Sequence, residues 1–571
     1  MKTLAIIGLG PRGLFALENL LHNVSASKKE LQILIFEPSE FPGAGSVWHL
    51  EQVDSNWTNI TERALIDLKG RTEFHYLDFK IPAFPSYHEW ANYKQKDTEP
   101  DTFPPRHKIG QYLNERFESL HTILKSSPNY KFIKSKVVSL EYINDDLVVK
   151  TQNESYTCDE TLLTIGHQPT KQSKQLKSWH EHVNTTNGLL VFDEPYPVSK
   201  FDDLKNQTNR TIGLRGFGLA MIDVMRALVI NDFGNFKIID PSTFESIYYK
   251  SKIQNLKLIP FSLDGMPLIP KPLNPEIDSW FQPTDDELSF FKSEIERHAQ
   301  GNLQTDSIDF LIKPIAKIIS RIYEDLGSKA MPHNLDSQQL EAIVLAWLKN
   351  QDYKHTLIQD RTIATYDLIK SYINMALGKQ SISLDFCIGQ VWRHCQPTLY
   401  TSFSHSNLDD ELIEEVIALD ESTKCYSYGP PIESMQQVLA LVDADVLSLD
   451  FTNDPDIEFI NEGWYLKNTK GENITTSVMI NSVLDSPKLL EVNSSIIENL
   501  IVDDLIQPIH TKLGIETKKN GIVISSEIEK PIPIAVLGRL AKGSVIGVDA
   551  ILECFGDRIK DWAISFVERL D

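Results

Sequence analysis

Thr3-Leu4-Ala5-Ile6-Ile7-Gly8-Leu9-Gly10-Pro11-Arg12-Gly13 opens the chain, and its reading decides the fold. A short apolar strand runs without a gap into three glycines at G-x-G-x-x-G spacing. Leu14, Leu17, Leu20 and Leu21 then recur at helical spacing, and a second apolar run, Leu31 to Phe36, ends on Glu37 and Pro38. Strand, glycine turn, helix, strand, acid is the order in which that spacing carries meaning. Gly8 permits the tight turn, Gly10 lets the backbone approach a pyrophosphate, and Gly13 lets helix and strand pack closely. The phosphates then face free N–H groups at the positive end of the helix. Glu37 is placed to accept from ribose hydroxyls.

The rest of the chain is far too long for one core. At 571 residues, two or three domains are expected, and 41% hydrophobic residues suffice to bury them. A net charge of −23 argues against nucleic acid or an anionic membrane as partner. The five cysteines (Cys158, Cys387, Cys395, Cys425 and Cys554) are scattered without a C-x-x-C pair. That fits a reducing, cytoplasmic setting with no metal site or disulfide framework. No apolar run approaches membrane length.

After Glu37, Gly43-Ala44-Gly45-Ser46-Val47-Trp48 makes a loop able to lie against a flat ligand, and Ser55-Asn56-Trp57-Thr58-Asn59 gathers amide and hydroxyl groups beside an aromatic. A helix is expected from about Lys108 to Lys125. Strands follow at 131–138, 146–151 and 161–165, the last ending in Gly166-His167. A second glycine turn appears at Thr211-Ile212-Gly213-Leu214-Arg215-Gly216-Phe217-Gly218, followed by a helix through Met221, Val224 and Leu228. Met221 stands where a third glycine or alanine would allow close packing. The strand expected next, Phe236 to Ile239, ends on Asp240, placed to take a ribose hydroxyl of NADH, with Lys250 and Lys252 downstream. Residues 284–415 carry helical periodicity, and strand signals return after Tyr426-Ser427-Tyr428-Gly429-Pro430-Pro431 at 446–451, 457–465 and 477–483. Ile532 to Leu537 is a late apolar strand. Gly538-Arg539 and Gly547-Val548-Asp549 then lead into a terminal helix.

Gly8-x-Gly10-Pro11-Arg12-Gly13, Gly45-x-Val47-Trp48, Arg215-Gly216-x-Gly218-Leu219, Tyr428-Gly429-Pro430-Pro431 and Leu537-Gly538-Arg539 with Gly547-x-Asp549 together resemble the bacterial FAD/NAD(P)-binding flavoprotein family. That family is distantly similar to flavin-containing monooxygenases and to ornithine and lysine N-hydroxylases. The resemblance implies FAD and NAD(P)H as cofactors. The adenine end of FAD would lie over Gly8, Gly10, Pro11, Arg12, Gly13, Glu37 and Pro38, with Val138 at its border. Val47, Trp48, Thr58 and Asn59 would approach the flavin ring. Thr164, Gly166 and His167 would close the site, and Gly538, Arg539 and Asp549 would meet its ribityl and pyrimidine end. Gly216, Gly218 and Asp240 would hold the nicotinamide nucleotide.

The expectation is therefore an α/β protein with two Rossmann-like dinucleotide-binding domains and a helical insertion. Residues 1–175 plus 530–571 form the FAD domain, 176–283 plus 426–529 the NAD(P)-binding-like domain, and 284–425 the insertion. The expected function is that of an FAD-dependent NAD(P)H oxidoreductase, a monooxygenase of N-hydroxylase type acting on a small amine or amino acid. Two alternatives stay open: an NAD(P)H oxidase or reductase without oxygen transfer, and a non-catalytic flavin- or nucleotide-binding regulatory protein. Catalytic side chains beyond the flavin and the oligomeric state, including a homo-oligomer, do not follow from the residues.

Overall fold

Lys2–Ile7 and Leu31–Phe36 are parallel neighbours joined by the helix Pro11–Ser27, so the opening stretch folds as one strand–helix–strand unit. The computed structural model describes residues 1–27, 29–205, 210–231, 233–251 and 255–570; Lys252 lies outside them. Three further strands complete an all-parallel sheet in the order Ile534–Val536, Glu160–Leu163, Lys2–Ile7, Leu31–Phe36, Tyr130–Ile133. Such strands are buried on both faces, and Leu4, Ala5, Ile6, Ile33, Ile35 and Leu162 are fully enclosed. Helix Pro11–Ser27 lies against the last helix, Asp557–Glu568, with Leu14, Leu17 and Leu21 in one cluster with Trp562, Ala563 and Phe566. The expected 108–125 helix spans Arg106–Leu124. It is tied to the first helix by a buried cluster in which Glu18 accepts from Arg71 (2.9 Å) and Arg116 (2.7 Å).

A second parallel sheet has the order Leu190–Phe192, Val478–Asn481, Arg210–Arg215, Leu256–Phe261. The helix Leu219–Val229 follows its strand Arg210–Arg215, with Gly218 as N-cap. Seven long helices then run from Asp285–Ala299 to Ile432–Asp443. Local chemistry starts several of them. Thr284 and Glu287 form a reciprocal capping box, as do Asp336 and Gln339.

Four expectations are corrected. The helical stretch does not end at 425, since Tyr426 and Ser427 close Asp410–Ser427 and the Gly429-Pro430-Pro431 turn starts the helix Ile432–Asp443. A proline pair marks a helix start as readily as a strand boundary. Residues 446–451 form no regular strand; Leu447 makes a single bridge to Leu258 on the edge of the second sheet. The 236–239 run is no member of that sheet: Gly234–Asp240 pairs antiparallel with Glu245–Lys250 as a separate hairpin. Gly547-Val548-Asp549 does not open the terminal helix directly, because the 3₁₀ turn Leu552–Phe555 intervenes before Asp557.

Candidate functional site

The first glycine turn is set by contacts that admit no side chain. Gly8 has φ +90°, and a Cβ there would lie 2.8 Å from the Thr164 carbonyl oxygen. A Cβ on Gly13 would lie 2.4 Å from Gly8 O and 2.9 Å from Thr164 Oγ1. Thr164 clasps the turn, its N–H donating to Ile7 O (2.9 Å) and its hydroxyl to Gly8 O (2.5 Å). Gly10 differs: a Cβ there would meet only the Gly45 Cα, at 3.7 Å. The glycine of the second loop thus lies beside the first turn, leaving the low-relief cradle that a pyrophosphate needs next to a helix N-terminus. Glu37 accepts from Leu9 N–H (2.6 Å) and Ser39 N–H (2.8 Å), so its carboxylate braces turn and loop while keeping lone pairs for a ribose. Pro38 follows it into that loop.

The end of the chain comes back to this turn. Arg12 donates to the Val548 carbonyl at 2.6 Å, and a Cβ on Gly538 (φ +104°) would touch the Arg12 side chain at 2.8 Å. Arg539 pairs with Asp549 (2.6 Å), and Asp549 also binds Lys424 of the helix Asp410–Ser427 (2.8 Å). Burial raises the Asp549 carboxyl, but Lys424 and Arg539 outweigh it and hold the group well below the ordinary carboxylate range. Arg539 Nε is buried without a partner. Gly166 has φ +65° and His167 follows it, beyond Thr164 on the strand end of Glu160–Leu163.

The two loops expected to approach the flavin ring are Val47-Trp48 and Thr58-Asn59. Trp48 O rests against Gly110, where a Cβ would approach to 1.7 Å, and Val47 is exposed with its carbonyl held by Gln52 (2.6 Å). Thr58 donates to Ile60 O (2.8 Å), and Asn59 donates to Tyr428 O (3.1 Å). Asn56 Oδ1 is buried without a partner. Orphaned polar atoms in the 55–59 loop and at Arg539, with the open side of Gly10, fit a flavin dinucleotide laid across these segments. Val138 stands in the antiparallel strand Val137–Ile143, its carbonyl accepting from Ser495 (2.8 Å).

At the second turn Gly216 has φ +108° and packs on Ser482 and Val483, while a Cβ on Gly218 would meet nothing within 4 Å. Asp240 is not brought to this turn. It caps its own hairpin, accepting from Ser242 (2.9 Å) and Thr243 (2.9 Å). The strand beside Arg210–Arg215 is Leu256–Phe261, so the acid nearest its end in sequence is Asp264, itself occupied by Ser262 (3.1 Å) and Met266 (3.1 Å).

Several ionisable groups here escaped the sequence reading. Arg106 donates to Asp223 (2.6 Å) and to the Tyr196 hydroxyl (3.0 Å), and Tyr196 donates to Asp223 (2.6 Å). Arg226 lies over the Trp57 ring at 3.8 Å and donates to Gln437 (2.8 Å) and Ser434 (2.7 Å). Their signal was present: Asp223 and Arg226 are the two charges, three residues apart, on the otherwise apolar helix Leu219–Val229. Lys271 joins the loops from another side, its ammonium donating to Asn59 O and to Gly429 O (3.0 Å).

Burial, with Arg393 nearby, pushes the Lys271 amine down to about 7. The unfolded chain keeps the proton up to the ordinary value of 10.5, so between those values it binds more protons than the native state. Stability is therefore expected to rise as pH climbs from 7 towards 10. Lys271→Met should flatten that rise in denaturant titrations at pH 7 and 9.5; an equal slope in both proteins would contradict the assignment.

Among the described residues no group of three or more His, Cys, Asp or Glu could hold a metal ion, and no helix is long and apolar enough to cross a membrane. Comparison with known proteins places these observations. The chain is 28% identical over 247 residues to the nitrosuccinic acid synthase of Aspergillus oryzae, a match covering 41% of this chain and 36% of that relative's length. Among solved structures, L-lysine 6-monooxygenase from Pseudomonas syringae aligns over 100% of both chains at 12% identity and TM-score 0.44. The ornithine hydroxylase of Pseudomonas aeruginosa aligns likewise over 100% of both, at 11% identity and TM-score 0.44. The family described as FAD-NAD(P)-binding matches residues 5–168, the segment from the first strand to the Gly166-His167 turn. Residues 5–168 are thus similar to an FAD-NAD(P)-binding domain.

Proposed function

We propose that the protein is an FAD-dependent oxidoreductase reduced by NAD(P)H, a monooxygenase of N-hydroxylating type acting on a small amine or amino acid. The observation that carries this reading is a pair of glycine turns, each at a helix N-terminus, with Gly10 facing only Gly45 and Gly218 facing open space. Trp57 lies under Arg226 of the second turn's helix, and Asn59 two residues on is held by Tyr428. FAD, when bound, accepts hydride from the nicotinamide and activates oxygen. The chain's own residues do the rest. Gly10 and Gly45 admit the pyrophosphate, and Glu37 takes the ribose. Gly216 and Gly218 seat the second nucleotide beside a helix N-terminus. Trp57, Thr58, Pro430 and Pro431 gather beside the second turn's helix, where apolar cover would shield a reduced cofactor from water. The matched relative is named for nitrosuccinic acid, an N-oxidised acid, in keeping with oxidation at nitrogen.

In this reading residues 1–175 and 484–571 make up the FAD domain, with the expected boundary at 530 moved because Leu489, Ile497, Ile515 and Val523 share one core with Ala5 and Val536; 176–283 and 444–483 make up the nicotinamide domain, and 284–443 a helical cover. With Asp240 committed to its hairpin, the expected preference for NADH loses the residue it rested on. The test is Gly218→Val followed by stopped-flow flavin reduction. A side chain there meets open space, so the fold should survive with its FAD, while reduction by NADH or NADPH slows at least about 100-fold as the pyrophosphate leaves the helix terminus. Reduction at the wild-type rate would contradict a nucleotide site at this turn.

A further inference from the structure

The two glycine turns repeat one register, and the repeat picks out residues that the glycine motifs pass over. Ile7 pairs with Phe36, and Arg215 pairs with Phe261. The first glycine of each turn then donates to the last residue of the neighbouring strand, Gly8 to Phe36 O at 2.9 Å and Gly216 to Phe261 O at 2.7 Å. Both glycines have positive φ, +90° and +108°. In each turn the helix begins one residue after the next glycine, at Pro11 and at Leu219. Counted from these shared bonds, Ser262 stands where Glu37 stands at the first turn, Leu263 where Pro38 stands and Asp264 where Ser39 stands.

Ser262 brings a hydroxyl to the ribose position, and the carboxylate there comes from Asp264 instead. Ser262 Oγ donates to Asp264 Oδ1 at 3.1 Å, and the Met266 N–H donates to the same oxygen at 3.1 Å. The other oxygen of this exposed side chain, Oδ2, has no partner among the described residues. Main-chain bonds fix the loop: Ser262 N–H donates to Thr452 O and Asp454 N–H to Ser262 O, each at 2.8 Å. Gly265 packs so closely on Asn453 that a Cβ there would lie at 2.7 Å. Asp454 is a second exposed acid beside the loop, and neither it nor Asp264 forms an ion pair among the described residues. The segments that make this corner, 216–225, 258–270 and 446–456, contain no lysine or arginine. Leu263, between the serine and the acid, is 85% exposed, more than any other large apolar side chain among the described residues.

We infer that Ser262, Leu263 and Asp264 form the adenosine end of the second nucleotide site and make it selective for NADH. Asp264 Oδ2 accepts from the ribose 2′-hydroxyl. A 2′-phosphate would bring like charge against that carboxylate, with Asp454 close by and no cation in the corner to receive it, so NADPH is refused by repulsion. Leu263 covers the adenine, which the two nucleotides share, and so adds affinity without discrimination. The inference rests on the oxidoreductase reading above and adds to it the identity of the reductant.

The test is calorimetric titration of the purified, FAD-containing protein with NAD⁺ and with NADP⁺, which bind without reducing the flavin. At low salt NAD⁺ is expected to bind at least about tenfold more tightly. The gap should narrow at high salt, because the repulsion acts between exposed charges. Asp264→Asn keeps the Oδ1 contacts and removes the charge, so it should bring NADP⁺ within about threefold of NAD⁺, and Asp264→Arg should favour NADP⁺. Leu263→Ser should weaken both by the same factor, about tenfold. Both side chains are exposed, so the variants should melt near the wild-type temperature. NADP⁺ bound as tightly as NAD⁺, or a preference that Asp264→Asn leaves unchanged, would overturn the inference. A protein that prefers NADP⁺ loses only this selectivity and keeps its second nucleotide site. One that binds neither dinucleotide loses that site, and the inference with it.

Discussion

A chain truncated after Lys530 is expected to yield no soluble yellow protein. The deletion removes Ile534–Val536, the parallel partner of Glu160–Leu163, and leaves Thr161, Leu162 and Leu163 with unpaired backbone groups on a new apolar edge. It also removes Asp557–Glu568, whose Trp562, Ala563 and Phe566 cover the first helix. Ile534, Val536, Ile559 and Phe566 are each at most 2% exposed. At about 1.5–3 kcal/mol per buried side chain, those four alone account for about 6–12 kcal/mol. That matches the whole stability of an ordinary domain, about 5–15 kcal/mol. The Arg12–Val548 and Arg539–Asp549 contacts that bring the chain end to the glycine turn are lost as well. Expression followed by gel filtration and visible absorbance reads the outcome. A monodisperse truncated protein that binds FAD would contradict the discontinuous domain.

The second large effect is expected from Gly13→Val. Its Cβ would lie 2.4 Å from a main-chain oxygen, Gly8 O, and the clasping Thr164 hydroxyl is on its other side at 2.9 Å. Neither can yield without pulling helix from strand at the centre of the sheet. Overpacking commonly costs about 1–3 kcal/mol, and here the neighbour is backbone, so at least about 3 kcal/mol is expected together with loss of FAD. Gly10→Val is the control. Its Cβ meets Gly45 at ordinary contact distance, so the apoprotein should melt near the wild-type temperature yet bind no flavin. Thermal unfolding of both apoproteins separates the cases. Equal destabilisation of the two would show that Gly10 and Gly13 do not divide the work between ligand and fold.

What the sequence made legible follows from how local the physics is. The first strand–turn–helix–strand unit lies within forty residues, and its glycines, apolar runs and Glu37 each report a contact made inside that window. The late strand Ile534–Val536 was legible as an apolar run whose partners lay elsewhere in the chain. Asp240 was misplaced because an apolar run ending in an acid looks alike whether it joins a parallel sheet or turns back as a hairpin. The Phe244 turn with φ +56° that closes this hairpin carries no glycine to announce it. The helical boundary slipped for a similar reason, since Gly429-Pro430-Pro431 both stops one helix and starts the next. The Arg106–Asp223–Arg226 cluster joins residues more than a hundred positions apart, so no local pattern reveals it. Only the two charges on an apolar helix hinted that something polar lay opposite.

The central claim, a flavin reduced by a nicotinamide nucleotide seated at the second turn, meets its most direct test in the visible spectrum of the purified protein under anaerobic conditions, before and after NADH or NADPH. The account predicts a yellow protein that bleaches with at least one of the two nucleotides. A colourless protein that takes up no FAD, or a yellow one that neither nucleotide bleaches, would contradict it.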